Sequence, residues 1–379
     1  MRAKLRSLGL AVAVALAGTA ASAAGAHATV DAGARTAQAT EARQLQALYA
    51  RATDEGGRLT VYMGGDAPGQ WDQVAQAFSA TFPRMQLRLV TDLSKYHGPR
   101  IDNQLATGRP VADVAVMQTT HDFDRWKRTG QLLRYRPIGY DQMFANAKDP
   151  DGFWSGVFYG AFSYVVNSEQ LPANPMSFRA TRLLQPQFKD RLIFTYPNDD
   201  DAVLFGFKLI IDRYGWDWLR DVMAQNPDFV RGTPPATAGV ASGRYLATAA
   251  GGAGDPRPNA AVVYPSSEKF VTWAQRGAIF RRARHKAAAR LFVSWLSSRD
   301  FQRQAIASFT WSVRRDVAPP AGRRALSAYN TNPRAFARFM ANRAAVERFR
   351  SQVELYVGAP QGPDPADPEG TLGRRPGAF

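Results

Sequence analysis

The chain has 379 residues, 45% of them hydrophobic, no cysteine, and a formal charge of +16. Without cysteine there are no disulfides, thiolate metal sites or cysteine nucleophiles, and a chain this long can rely on its own core even in an oxidising compartment. Its length exceeds one ordinary core, so two lobes are expected.

Arg2, Lys4 and Arg6 form a short basic start, Leu8 to Ala21 is a run of apolar and small residues, and Ala21-Ser22-Ala23 and Ala26-His27-Ala28 are A-x-A cleavage sites. This is the pattern of a cleavable secretory signal over 1–28. The run is shorter than the roughly 20 residues a membrane span needs, and no cysteine follows it to carry a lipid. The expected location is periplasmic, with no direct membrane insertion.

Residues 29–44 read as a flexible N-terminus, leading into a helix over Glu41 to Thr53 on the spacing of Leu45, Leu48 and Tyr49. Leu59 to Met63 is a buried strand with Gly64-Gly65-Asp66 at its carboxyl end. Gln70 to Phe82 is an amphipathic helix, Met85 to Val90 a strand, Tyr96 to Thr107 a helix and Ala112 to Met117 a strand. Alternation of this kind means a mostly parallel sheet covered by helices. Ligands in such sheets bind outside the carboxyl ends of strands, which points at Gly65, Asp66, Gln118 and Thr119. Phe153 to Asn167 is a long aromatic stretch. Arg191 to Tyr196 is a strand, Ala202 to Tyr214 and Trp216 to Ala224 are helices, and Phe229 to Thr233 is a short strand and turn. Ala238 to Tyr245 reads as a helix, Ala260 to Tyr264 and Gly277 to Phe280 as strands, and Lys286 to Ser297 and Phe336 to Val353 as helices. Residues 358–379, rich in Pro and Gly, read as a flexible tail.

The order of these elements resembles the type II periplasmic solute-binding proteins of ABC importers, in particular the ferric-ion-binding group. The resemblance rests on Leu48-Tyr49-Ala50 with Glu55 to Tyr62, on Pro110 to Val114, on Tyr164 to Asn167 followed by Leu171-Pro172, and on Ala274 to Phe301. It covers roughly 45–310. It implies an α/β, two-lobed fold with parallel-dominated sheets and two crossover segments, near Phe158–Asn167 and Ala260–Pro265, that closes on a ligand as a hinge. Lobe one is then 45–158 plus 265–350, and lobe two 159–264. The implied partners are a small-molecule solute and the membrane permease of an importer, with the protein acting as a monomer and needing no cofactor.

Asn198-Asp199-Asp200-Asp201 stands between a strand and a helix. Capping of the helix accounts for one carboxylate; three exceed that need and leave a site for a cation or for ligand hydroxyls. Arg231-Gly232-Thr233 combines a forked donor, a small residue and a hydroxyl, a clamp for an anion; a surface arginine before Pro234-Pro235 is the plainer reading. Tyr62, Tyr164, Tyr196 and Tyr264 stand where they could stack on a ligand or fill the core; Tyr164 and Tyr264 join the candidate site. His97, His121 and His285 do not cluster, and no zinc motif occurs. Ferric-binding relatives hold iron with two adjacent tyrosines. This chain has 13 Tyr and no such pair, and the region after Gly243 reads Arg244-Tyr245-Leu246-Ala247. The expected ligand is therefore a small polar molecule or oxyanion; a ferric ion is the alternative.

There is no G-x-S-x-G elbow, P-loop or GxGxxG after a strand. A carboxylate-dependent hydrolase using Asp66, Asp113 and 199–201 is a remaining reading, and a ligand sensor another. Arg276 to Arg350 holds 17 Lys or Arg against Asp300, Asp316 and Glu347. After export nucleic acid is not a partner and no recognition motif is present, so these arginines are expected on solvated helix faces.

Overall fold

The structure is a computed structural model that describes residues 36–171, 178–252 and 257–371. Contacts divide the chain into two units, 1–47 and 48–379. A helix, α1, covers 36–54, so 36–40 are helical rather than flexible. The expected signal over 1–28 lies outside the described residues, as do 372–379. Among the described residues no helix is long and apolar enough to cross a membrane.

In the second unit β1 (Arg58–Gly64), α2 (Asp72–Thr81), β2 (Gln86–Asp92), α3 (Ser94–Ala106), β3 (Val114–Met117) and α4 (Thr120–Arg128) follow the expected alternation. β1 pairs with β2 and with β3, both parallel. The apolar side of α2 fills the space beneath: Phe78 and Phe82 pack against each other, and Phe78 meets Phe292 and Trp295 edge-on. Then come β4 (Ser155–Asn167), β5 (Ile193–Thr195), α5 (Asp201–Tyr214), α6 (Trp216–Met223), β6 (Asp228–Val230), α7 (Thr233–Ala241), β7 (Ala247–Gly252), β8 (Ala260–Val263) and β9 (Val271–Ile279). After α8 (Lys286–Ser297), two one-turn helices, α9 (Arg299–Phe301) and α10 (Ala307–Phe309), flank a wider turn over Gln302–Ile306, and α11 (Pro333–Ala341) and α12 (Arg343–Val357) close the chain.

Among the described residues seven strands join in the order β2-β1-β3-β9-β4-β7, with β8 also on β4, and β5 pairs β6 apart from them. The two-lobed fold follows from β4. Its first half, Ser155 to Phe162, pairs with β9; its second half pairs with β7 and β8. One thirteen-residue strand thus passes from the β1–β3 group into the β5–β8 group, and the chain returns through 264–270 into β9. Out and back run in opposite directions, so the centre is antiparallel (β3–β9, β4–β9, β4–β7, β4–β8), while the outer pairs β1–β2, β1–β3 and β5–β6 are parallel. The expectation of parallel-dominated sheets therefore holds only at the two ends. Gly160 sits where the crossing strands touch most closely: a Cβ there would lie 2.3 Å from the Trp273 ring.

Three elements depart from the reading of the sequence. α7 begins at Thr233 rather than Ala238, because Gly232 takes φ 79° and Pro234 and Pro235 occupy the first turn, where their missing N–H groups cost nothing. β7 was not foreseen in Ala247–Gly252, since Ala and Gly have poor strand propensity; small residues are required because a Cβ on Gly251 would meet Val165 at 2.7 Å. The helix expected over 336–353 is two helices, broken at Asn342, whose side chain accepts from Ala345 N.

α12 sends Val346, Phe349 and Val353 into the core formed by Leu204, Phe207, Trp218 and Leu219. Residues 343–350 therefore pack with the second-lobe helices, not with lobe one. Residues 358–371 are also no free tail: Asp364 and Ala366 are 5% and 7% exposed.

Candidate functional site

The carboxyl ends of β1, β3, β5 and β6 supply most of the expected site. After β5, Asp200 adopts an extended backbone and caps α5, its Oδ1 accepting from Ala202 N at 2.7 Å and Val203 N at 2.9 Å. Burial pushes this carboxyl up to about 7; the nearby charges of Asp66 and Asp201 add to the rise and the two capping hydrogen bonds oppose it. Asp200 thus caps the helix, with the Asp66 carboxyl nearby. Asp201 is held by Arg350 at 2.5 Å.

Asp199 faces the other way. Its carboxylate takes Lys95 of α3, and Arg231 Nε at 2.9 Å with Nη2 at 3.3 Å. Burial opposes its ionisation, but Arg231 and Lys95 outweigh it and hold the carboxyl below its usual 3.8. Arg231 also donates to Tyr96 Oη at 3.1 Å. Beside this group, Asp66 Oδ2 accepts from Thr233 N at 2.6 Å and Thr233 Oγ1 at 2.7 Å, at the first turn of α7, and Asp66 N donates to Gln70 Oε1 at 2.7 Å. A carboxylate at a helix N-terminus is favoured by the free N–H groups there. Asp66, Lys95 and Tyr96 come from the β1–β3 side and Asp199, Arg231 and Thr233 from the β5–β6 side, so two clasps span the cleft. Residues 358–371 run along the same edge. Asn198 Nδ2 donates to Gly358 O at 2.9 Å, Arg231 Nη1 approaches Gly362 O at 3.4 Å, and Pro365 lies against Gly232.

Gly65 follows β1, its N–H on Asp92 O, and Gln118 and Thr119 close β3, with Gln118 N on Ser94 Oγ at 3.1 Å. Among the described residues the buried Oγ1 atoms of Thr119 and Thr120, His121 Nδ1 and Asn198 Oδ1 have no hydrogen-bond partner, and burial lowers the pKa of His121 despite its neighbour Asp122. The tyrosines are corrected. Tyr164 is buried with its hydroxyl on Glu268 at 2.6 Å. Tyr264 packs among Phe270, Trp311 and Tyr329. Tyr62 stacks on His97 and Tyr196 on Phe229. All four are core. Asp113 lies at the amino end of β3, where it takes Thr60 N, Arg284 N, His285 N and the His285 ring; it cannot pair with Asp66.

The basic segment also divides differently. Most of its arginines are surface groups, but Arg276 and Arg314 are buried. Arg314 is clasped by Asp316 and Ser297 O. Arg276 stands opposite Met117 in the β3–β9 ladder, at the carboxyl end of β3, and lines a cavity of about 190 Å³. Sequence reasoning missed Lys95, Tyr96 and Arg276. The strand-end rule applied to β2 leads to Ser94-Lys95-Tyr96; Arg276 lies in the part of β9, Val271–Arg276, that the sequence did not reveal as strand.

A family model for bacterial extracellular solute-binding proteins matches residues 109–326. The chain belongs to that family. This solute-binding protein shares its fold with several solved structures. The periplasmic binding protein AfuA from Actinobacillus pleuropneumoniae, with exogenous fructose-6-phosphate bound, is 17% identical with TM-score 0.65, over 80% of this chain and 99% of that one. Iron-bound HitA from Pseudomonas aeruginosa is 16% identical with TM-score 0.62, over 78% and 99%. The ferric binding protein from Campylobacter jejuni is 13% identical with TM-score 0.61, over the same shares. No curated protein matches the chain significantly. Among the described residues, no group of three or more His, Cys, Asp or Glu in this solute-binding protein is placed to hold a metal ion.

The raised Asp200 carboxyl makes a pH dependence. The folded protein holds this proton more tightly than the unfolded chain, so as the pH rises from about 4 to 7 this group lowers stability, and below about 4 it contributes nothing. Asp200→Asn keeps a capping oxygen and removes the titration. The variant is expected to lose this downward slope between pH 4 and 7 in urea unfolding. An unchanged slope would assign it to other groups.

Proposed function

We propose that this solute-binding protein is a monomeric periplasmic clamp, exported through a signal over 1–28, that captures a small polar or anionic solute between its lobes and hands it to the membrane permease of an ABC importer, without catalysis and without a cofactor. One lobe comprises 48–158 with 271–331 and the other 159–263 with 343–357, a division supported by the strand order and by the core that α12 joins. The cleft between them is bordered by Gly65, Asp66, Gln118, Thr119, Asn198, Asp199, Arg231 and Thr233.

The observation that carries this reading is the pair of clasps, Asp66 on Thr233 and Lys95 with Tyr96 on Asp199 and Arg231. Each joins the two strand groups at their carboxyl ends, where a hinged α/β protein takes its ligand. A solute entering an opened cleft meets the same donors and acceptors, and closure re-forms the clasps over it. Purified exported protein in a melting screen with amino acids, sugars, sugar phosphates, carboxylates and polyamines is expected to respond to at least one class. Binding to the folded state alone adds about 2.7 kcal/mol at a hundredfold excess over Kd. A flat response to every class, with no contraction in small-angle scattering, would refute the reading.

A further inference from the structure

The cavity beside Arg276 has a chemistry of its own. Thr120 at the start of α4, Asn146, Lys148 and Trp154 from the segment leading to β4, Trp273 and Arg276 of β9, and Arg334 of α11 surround it. No carboxylate lines it, and every polar group that does carries a proton to give. Trp154 is 9% exposed, and its indole Nε1 has no acceptor. Thr120 Oγ1 is buried and also lacks a partner. Arg276 stacks on the Trp154 ring at 3.9 Å and directs Nη1 to Thr120 O at 2.6 Å and Asp124 at 2.8 Å. Lys148 Nζ donates to Tyr140 O at 2.8 Å and lies over the Tyr140 ring at 4.6 Å, and the exposed Arg334 guanidinium makes no ion pair among the described residues. Asn146 gives its oxygen to the Tyr159 hydroxyl and keeps its NH₂ uncommitted.

Buried donors without acceptors are costly, and native sites that keep them have a reason. Three cationic side chains, one of them paired with Asp124, line the cavity and no acid does. An oxyanion would accept from the unpartnered donors and balance that charge. Burial pulls the Arg276 guanidinium below its ordinary value, with Asp124 opposing, and an anion in the cavity would offset that burial. The cavity, about 190 Å³, has room for a phosphate or carboxylate group.

We propose that this cavity receives the phosphate or carboxylate group of a small anionic solute, with Arg276, Arg334 and Lys148 as its cationic partners and the Trp154 N–H and Thr120 hydroxyl as its directional donors. The inference rests on the solute-binding reading and moves the anion's contact from Arg231, which Asp199 already occupies, to the crossing strand β9. Solute and anion site are then next to the segments that bend when the lobes close.

The test is calorimetric titration of the exported protein with inorganic phosphate, glycerol 3-phosphate and malate, with glycerol as the neutral control. At least one anion is expected to saturate and glycerol not to. Arg334→Ala lies on an exposed rim and should leave unfolding without anion unchanged. It should weaken anion binding about tenfold, the scale of one charge-assisted hydrogen bond. Trp154→Phe keeps an aromatic face for Arg276 while removing the N–H and one ring of the indole; about a fivefold loss is expected. Raising the salt should weaken binding in the wild type. No saturable anion binding, or binding that neither variant weakens, overturns the proposal. A neutral solute that binds and contracts the lobes with or without Arg334 would overturn the anion site and leave the clamp standing.

Discussion

Arg231→Ala is expected to lower the stability of the folded protein by about 3 kcal/mol and to open the lobes. The Arg231 side chain is 10% exposed and its partner Asp199 6%. Removing one member of a buried pair strands the other, at roughly 3–5 kcal/mol; Lys95, still in contact with Asp199, keeps the loss at the low end. Arg231→Lys should recover only part of it, since an ammonium cannot reproduce the paired contacts of Nε and Nη2 to the carboxylate and of Nη2 to Tyr96. The effect has a definite sign with pH. The Asp199 carboxyl is held below its usual 3.8 in the folded protein, so the stability it gives is complete above that value and is lost as the pH falls below it. The difference between wild type and Arg231→Ala in urea should be full at pH 7 and shrink in acid. Small-angle scattering should find a larger radius of gyration for the variant at pH 7. Equal radii and equal urea midpoints would remove the clasp from the account of closure.

Glu268→Ala is expected to cost about as much, on the order of 3–5 kcal/mol, as the sum of several orphaned donors. Glu268 is buried in the return segment between β8 and β9. It accepts from the Tyr164 hydroxyl of β4 at 2.6 Å, from the Tyr214 hydroxyl at the end of α5, and from Ala180 N at 3.1 and 3.2 Å. One carboxylate thereby ties the second crossing to the first and to α5. Burial and the neighbouring carboxylate keep the Tyr164 phenol protonated well above its ordinary range, so it is always a donor. Alanine leaves the hydroxyl and the Ala180 N–H buried without acceptors. Glu268→Gln keeps one oxygen and the shape and should lose less than half as much. Urea unfolding of the two variants measures the ratio; a Glu268→Ala protein within about 1 kcal/mol of wild type, one ordinary hydrogen bond, would mean that water replaces the carboxylate.

The sequence alone determined what depends on neighbours along the chain. The alternation of β1, α2, β2, α3 and β3, the helix over 286–297 and the strand-end positions of Asp66, Thr119 and Asp199 were all legible, because periodicity and turn residues are local; 153–167 read only as a long aromatic stretch. Order over many elements, not any single motif, carried the family resemblance. Three kinds of feature were beyond it. β7 is a strand because Ala247–Gly252 is pressed against β4, where only small residues fit; propensity alone argues the reverse. Tyr62, Tyr164, Tyr196 and Tyr264 look alike in sequence as strand-end aromatics, and only packing assigns all four to the core. The partner of each charge was the third. Asp200 caps α5, Asp199 meets Arg231 and Lys95, and Arg276 leaves the solvated arginines to line a cavity, although Asp199 and Asp200 are adjacent in the chain. Asp200 finds its partners two and three residues on, in its own helix, but Asp199 and Arg276 find theirs 32 to 156 positions away. Of these contacts only Lys95 with Asp199 joins the two lobes; the others form within one lobe, those of Arg231 and Arg276 between elements far apart in the chain, so tertiary structure decided which of these charges serve the fold and which face the cleft.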